Sequence, residues 1–171
     1  MAAPVLSAAE SDPALQALLE RLAAGLRARG SMLASAESCT GGLIAAACTS
    51  LAGSSDWFER GFVTYSNAAK TELLGVPAAL IAQHGAVSAE VARAMADGAL
   101  RHSRAQFAVA VTGVAGPGGG SALKPVGTVW LAVAVAGSPA QAELLQLSGD
   151  RADVRQQTVL RALAALLAAL G

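Results

Sequence analysis

A serine becomes a nucleophile when a neighbouring base takes its proton. Histidine is the common base, and this 171-residue chain has two, His84 and His102. His84 precedes Gly85 and reads as a helix end. His102 reads as part of a polar helix face. The segment "GSSDWFERGFVTYSNAAK", residues 53–70, instead brings Ser54, Ser55, Tyr65 and Lys70 into one short stretch. A lysine serves a serine as base only when it is neutral. Free lysine titrates near ~10.4, and burial lowers that by up to ~3 units. The chemistry would be acyl transfer on a serine. Spacing alone leaves a second reading, with Lys70 as an exposed helix lysine and Ser55 as a helix cap.

Two glycine-rich stretches could receive a ligand. In "SAESCTGG", Ser35 to Gly42, the triplet Thr40-Gly41-Gly42 opens a helix. Free N–H groups and the helix dipole there favour an anion. The terminal Gly-Lys-Ser/Thr of a Walker loop is missing. Ser38 also lacks the glycine two places earlier that a nucleophile elbow requires. The second stretch, "GVAGPGGGS" from Gly113 to Ser121, follows Thr112. No helical pattern begins after its glycines, so it departs from a dinucleotide fingerprint. It reads as a flexible loop that lines or covers a pocket. Arg151, in "GDRADV", sits in the first turn of the last helix, where a cation opposes the dipole unless it faces an anion. That favours phosphate recognition; the alternative is a surface pair with Asp153, worth little.

The two cysteines, Cys39 and Cys48, and the two histidines show no metal-ligand spacing, so no metal site is expected. Cys48 reads as a small buried hydrophobe. A cysteine hydrolase built on Cys39 would need a histidine base, and neither histidine falls in a candidate loop.

These groups need a scaffold. Asp12 and Pro13 open a helix whose Leu15, Leu18, Leu19, Leu22 and Leu26 keep a helical period up to Gly30. Residues 31–37 read as a strand and 40–50 as a helix. Residues 61–66 read as a strand, followed by a helix capped by Asn67 and stopped by Gly75. Pro77 starts a short helix, and Ser88 caps a longer one. Residues 107–112 and 127–135 read as strands, and 127–135 turns back at Gly137-Ser138-Pro139 into 142–147 as an antiparallel hairpin. Asp150 caps a final helix over 151–170. The order predicts an α/β fold: a single three-layer α/β/α domain with a mixed sheet that includes the late hairpin. Residues 1–11 are expected to form a flexible arm before a domain spanning 12–171. Ligands in such sheets collect beyond the carboxyl ends of the strands, where three of these loops fall.

Composition narrows the function. The chain is 54% hydrophobic and carries 12 basic and 12 acidic residues, so no field of one sign invites nucleic acid. Aromatics at 4% disfavour stacking on single strands. No apolar run reaches the ~20 residues that span a bilayer. The expected location is the cytoplasm.

The motifs "AESCTGG", "GSSDWFERGFVTYSNAAK", "GAVS", "VTGVAGPGGG", "KPVGTVW" and "GDR", in this order, resemble the CinA carboxy-terminal domain family of nicotinamide-nucleotide amidohydrolases. The resemblance runs from Ala36 to the last helix. It implies hydrolysis of the carboxamide of nicotinamide mononucleotide to nicotinate mononucleotide and ammonia, within NAD recycling, by a Ser/Lys mechanism with no cofactor or metal. It implies Ser55 as nucleophile, Lys70 as its base and Tyr65 as an aid to proton transfer or orientation. Ser38, Thr40, Gly41, Gly42, Thr112, Gly113 and Arg151 would bind substrate, with Arg151 near the phosphate. Ser38 and Ser55 could exchange roles. A homodimer or higher homo-oligomer is also implied. A non-catalytic nucleotide-binding domain is the alternative function.

Overall fold

The computed structural model describes residues 12–171, so the expected arm at 1–11 lies outside the described residues. The elements are α1 (Pro13–Ala28), β1 (Leu33–Glu37), α2 (Leu43–Ser50), a 3-10 turn (Ser54–Asp56), β2 (Phe58–Val63), α3 (Asn67–Leu74), α4 (Ala78–His84), α5 (Ala89–Arg101), β3 (Phe107–Gly113), β4 (Thr128–Val135), β5 (Gln141–Gln146) and α6 (Arg151–Leu170). The five strands form one sheet in the order β2-β1-β3-β4-β5. β1 runs parallel to β2 and β3. β3, β4 and β5 run antiparallel in succession, so the hairpin foreseen from sequence is the second half of a three-strand meander. The three-layer α/β/α architecture with a mixed sheet is as expected.

Alternation along β3 explains the layers. Phe107, Val109 and Val111 face one side, where they pack with leucines of α1 and α6, Cys48 and Trp57. Ala108 and Ala110 face the other, with Ala34, Ala36, Ala132 and Ala134, against Val91 and Met95 of α5. Small strand residues let α5 lie close to the sheet. Gly98 lets α5 lie equally close to the end of α3, since a Cβ there would meet the Leu74 carbonyl oxygen.

Several strand ends shift by one or two residues, and three boundaries at the site differ from expectation. β2 spans Phe58–Val63 rather than 61–66, and Ser66 rather than Asn67 caps α3, accepting from Ala69 N–H at 3.0 Å. Helix α2 starts at Leu43 rather than Thr40, because Gly41 (φ +59°) and Gly42 (φ +104°) are left-handed. That conformation suits glycine and delays the helix.

Candidate active site

β1, β2 and β3 are parallel, so their carboxyl ends share one edge of the sheet. Beyond β1, Ser38 N–H donates to Val111 O at 3.0 Å, and Thr64 N–H donates to Glu37 O at 2.8 Å. These bonds extend the register by one step and align Thr64, Ser38 and Thr112 in a row. Each lies two residues beyond Phe62, Ala36 or Ala110, so all three share the α5 face. All three are buried.

Lys70 reaches this row from α3. Its side chain is 1% exposed. Nζ lies 3.0 Å from Ser38 Oγ and donates to Thr64 O at 3.0 Å, with Tyr65 O at 3.4 Å. Burial pulls the Lys70 amine below its ordinary value of 10.5, opposed by the neighbouring Cys39 thiol. Burial pushes the Cys39 thiol the other way, up to about 11, which keeps it protonated near neutrality.

Ser55 is elsewhere. It is exposed in the turn before β2, whereas Lys70 sits past the other end of that strand. Six strand residues at ~3.3 Å each separate the two by roughly 17 Å or more. The surroundings of that turn are Arg27, which donates to Gly53 O at 2.8 Å and lies 3.6 Å from Asp56. The geometry therefore pairs Lys70 with Ser38, not with Ser55.

The Thr40-Gly41-Gly42 turn also differs from expectation. The anion at the start of α2 is the protein's own Glu37, a fully buried carboxylate. Oε2 accepts from Thr40 Oγ1 at 2.6 Å, Gly42 N–H at 3.0 Å and Ile44 N–H at 3.0 Å. Oε1 accepts from Ala45 N–H at 2.8 Å and Ser35 Oγ at 3.3 Å. The helix N-terminus is thus satisfied from within, and Thr40 Oγ1 and Gly42 N–H are already engaged. The sequence signal was present: a glutamate at the end of an apolar strand must meet several donors to be buried.

The remaining predicted residues ring this edge. Thr112 Oγ1 donates to Ala86 O at 2.9 Å and so anchors the "GAVS" segment beside β3. Gly113 pairs with Val129, and a Cβ there would meet Thr128 O at 2.7 Å, so close approach of β4 explains the glycine. Arg151 donates to Gly116 O at 2.8 Å and to Tyr65 Oη at 3.2 Å, joining the glycine-rich loop, α6 and the residue after Thr64. Asp153 is otherwise engaged, accepting from Asp150 N–H at 2.9 Å in a capping box.

A cavity of about 640 Å³ is lined by Ala115, Pro117, Val126, Gly149, Arg151 and Arg155 among others, so it meets the site through the two arginines, and Ser38, Thr64 and Lys70 lie outside its lining. A second concavity, of about 580 Å³, between β4, β5 and the end of α6 contains none of the site residues. Arg155 was not foreseen. It donates from Nε to Cys39 O at 3.2 Å and from Nη2 to Thr40 O at 3.0 Å. Thr64 was also missed, and its buried hydroxyl has no hydrogen-bond partner among the described residues. Among those residues no three His, Cys, Asp or Glu side chains gather as metal ligands. No helix among them is long and apolar enough to cross a membrane.

Residues 15–170 match the CinA C-terminal domain. The chain belongs to this family. Its relatives include the nicotinamide-nucleotide amidohydrolase PncC of Escherichia coli (strain K12), 51% identical over 91% of this chain and 94% of that protein. The PncC of Pseudomonas putida is 57% identical over 91% of this chain and 96% of its own length. Among solved structures, the competence/damage inducible protein CihA from Agrobacterium tumefaciens superposes with a TM-score of 0.90 at 47% identity, covering 92% of this chain and 96% of that one. This CinA-family domain is thus similar in sequence to proteins named as amidohydrolases and similar in fold to a competence/damage inducible protein.

Proposed function

We propose that this CinA-family domain hydrolyses the carboxamide of nicotinamide mononucleotide to nicotinate mononucleotide and ammonia, with Ser38 as nucleophile and Lys70 as its base. The observation that carries the reading is the 3.0 Å approach of a buried Lys70 Nζ to Ser38 Oγ. A neutral amine has two N–H donors and one lone pair. Thr64 O and Tyr65 O take the two donors, which turns the lone pair toward the Ser38 hydroxyl. Burial lowers the charging tendency of the amine and so favours that neutral state.

In the first half-reaction Lys70 takes the Ser38 proton as Oγ bonds to the carboxamide carbon. The carbonyl π electrons move to oxygen and form an oxyanion, which backbone N–H donors stabilise. The oxyanion collapses, the C–N bond breaks, and Lys70 returns the proton to nitrogen, releasing ammonia. In the second half water, deprotonated by Lys70, attacks the acyl carbon and Ser38 leaves with the proton. The pyridinium withdraws electrons from the carboxamide. The phosphate, met by Arg151 at the cavity, supplies remote binding energy that positions the amide. Tyr65, through Oη on Arg151, links the two ends of the site.

The reading involves no metal and no organic cofactor. It places the enzyme in NAD recycling and as a homodimer or higher homo-oligomer, which rest on family resemblance, and in the cytoplasm, which rests on the sequence having no apolar run long enough to span a bilayer. A non-catalytic nucleotide-binding domain is the competing reading, and ammonia release separates the two.

The test is ammonia release from nicotinamide mononucleotide by wild type, Ser38→Ala, Ser55→Ala and Lys70→Ala. Ser38→Ala and Lys70→Ala are expected to lose roughly 10³-fold or more in kcat, and the double variant little beyond that, because the pair acts as a unit. Ser55→Ala is expected to retain turnover. An acyl group trapped on Ser55 would overturn the assignment.

A further inference from the structure

The backbone that follows Ser38 is held by a residue that reaches it from the opposite end of the sequence. Arg155 is half-buried, one turn after Arg151 on α6. Its Nε and Nη2 hold Cys39 O and Thr40 O at 3.2 and 3.0 Å. This is a two-pronged grip on successive carbonyls, which the planar guanidinium fork can make and an ammonium cannot. The same turn is closed by Gly41 N–H donating to Ser38 O at 3.1 Å.

A trans peptide is planar, so its C=O and N–H point in opposite directions. Drawing Cys39 O toward Arg155 therefore directs Thr40 N–H away from Arg155. That N–H has no protein acceptor among the described residues. Glu37 takes the Thr40 hydroxyl and the N–H groups of Gly42, Ile44 and Ala45, leaving the Thr40 amide free. Two charged side chains thus fix the turn from opposite chemical sides, a carboxylate on its donors and a guanidinium on its acceptors.

We infer that Arg155 is a positioning residue for the reaction: it orients the Cys39–Thr40 peptide so that an unspent backbone donor beside Ser38 meets the oxyanion of the reacting carboxamide. The inference rests on the Ser38/Lys70 reading. Arg155 acts through the backbone, so its loss lowers kcat more than it raises KM. Arg151, at the rim, has the converse effect.

The experiment is steady-state kinetics on nicotinamide mononucleotide with Arg155→Met, Arg155→Lys and Ser38→Ala, each with a thermal melt. Arg155→Met is expected to lose about 10²-fold in kcat, as for a removed oxyanion donor or a misplaced one, with KM changed by less than about threefold. Arg155→Lys is expected to lose kcat as well, since it retains the charge but not the fork. Added guanidinium ion at millimolar concentration is expected to restore part of the turnover of Arg155→Met and none to Ser38→Ala. A raised KM with unchanged kcat would make Arg155 a substrate contact and overturn the inference. A lowered melting temperature with unchanged kcat in both variants would make it purely structural, with the same consequence. If Ser38→Ala remains fully active, the Ser38/Lys70 reading fails. If Ser38→Ala is inactive while both Arg155 variants keep full kcat, only this inference fails.

Discussion

An amine buried among carbonyls and hydroxyls, with no carboxylate in salt-bridge range among the described residues, is costly to charge. Lys70 is in that position, and two pH effects follow. The acidic limb of kcat/KM reports deprotonation of Lys70 and is expected to lie below the ordinary 10.5, measured as a pH–rate profile on the mononucleotide. For stability, the folded pKa lies below the unfolded one. Between the two values the unfolded chain holds the extra proton, so stability rises with pH through that window and is flat below it. Denaturant titrations of wild type and Lys70→Met at successive pH values are expected to show wild type gaining on the variant as pH rises toward 10.5. No relative gain would mean that the amine is not shifted. Arg151 is exposed and holds Gly116 O and Tyr65 Oη. Arg151→Ala is expected to raise KM by roughly 10- to 100-fold, the worth of one charge-assisted contact to phosphate. An unchanged KM would place the phosphate elsewhere.

At the scale of elements, the β1–α2 junction is the decisive unit. Two left-handed glycines turn the chain back, and the Glu37 carboxylate receives the donors that the turn and the helix start expose. Glutamine cannot replace it. One of its two terminal positions would be an NH₂ facing N–H or O–H donors, whichever way the amide is flipped. Glu37→Gln is expected to cost about 1.5–3 kcal/mol in denaturant unfolding and to lower turnover with it, because Ser38 is the next residue. A variant with wild-type stability and wild-type kcat would show that the carboxylate does not hold the turn. The other end of the site is set by α6, whose capping box on Asp150 starts the helix so that Arg151 and Arg155 fall one turn apart, one on the rim and one on the turn after Ser38.

At the scale of the molecule, the site is made by strand order. Segments near residues 38, 64 and 112 meet because β1 lies between β2 and β3 in parallel. The last helix closes the site from the other face of the sheet, where it packs with α1 and α2. The proposed homodimer is tested by sedimentation at working concentration. The expected mass is twice the 16.9 kDa of one chain, and a monomer throughout the range would overturn it.

Much of this was legible in the residues themselves. Leucine periodicity, the Asp12, Ser88 and Asp150 caps, and the short apolar runs of β3 and β4 suffice for the elements and the layer class, because local propensity and burial act over short stretches. The motif series was enough to name the family. Glycine and hydroxyl loops at strand ends marked the edge of the sheet that holds the site. The choice between Ser38 and Ser55 was not legible. Both are serines in small-residue turns, and Ser55 is far closer to Lys70 along the chain. Only the parallel register of β1 and β2 carries Ser55 to the opposite end of the sheet and sets Ser38 beside the amine. The anion at the start of α2 was misread for a related reason: a helix N-terminus calls for negative charge, and the sequence does not state whether that charge is a ligand or the protein's own Glu37. Arg155 left no local signal at all, since its partners lie more than a hundred residues away and are backbone carbonyls that any sequence possesses.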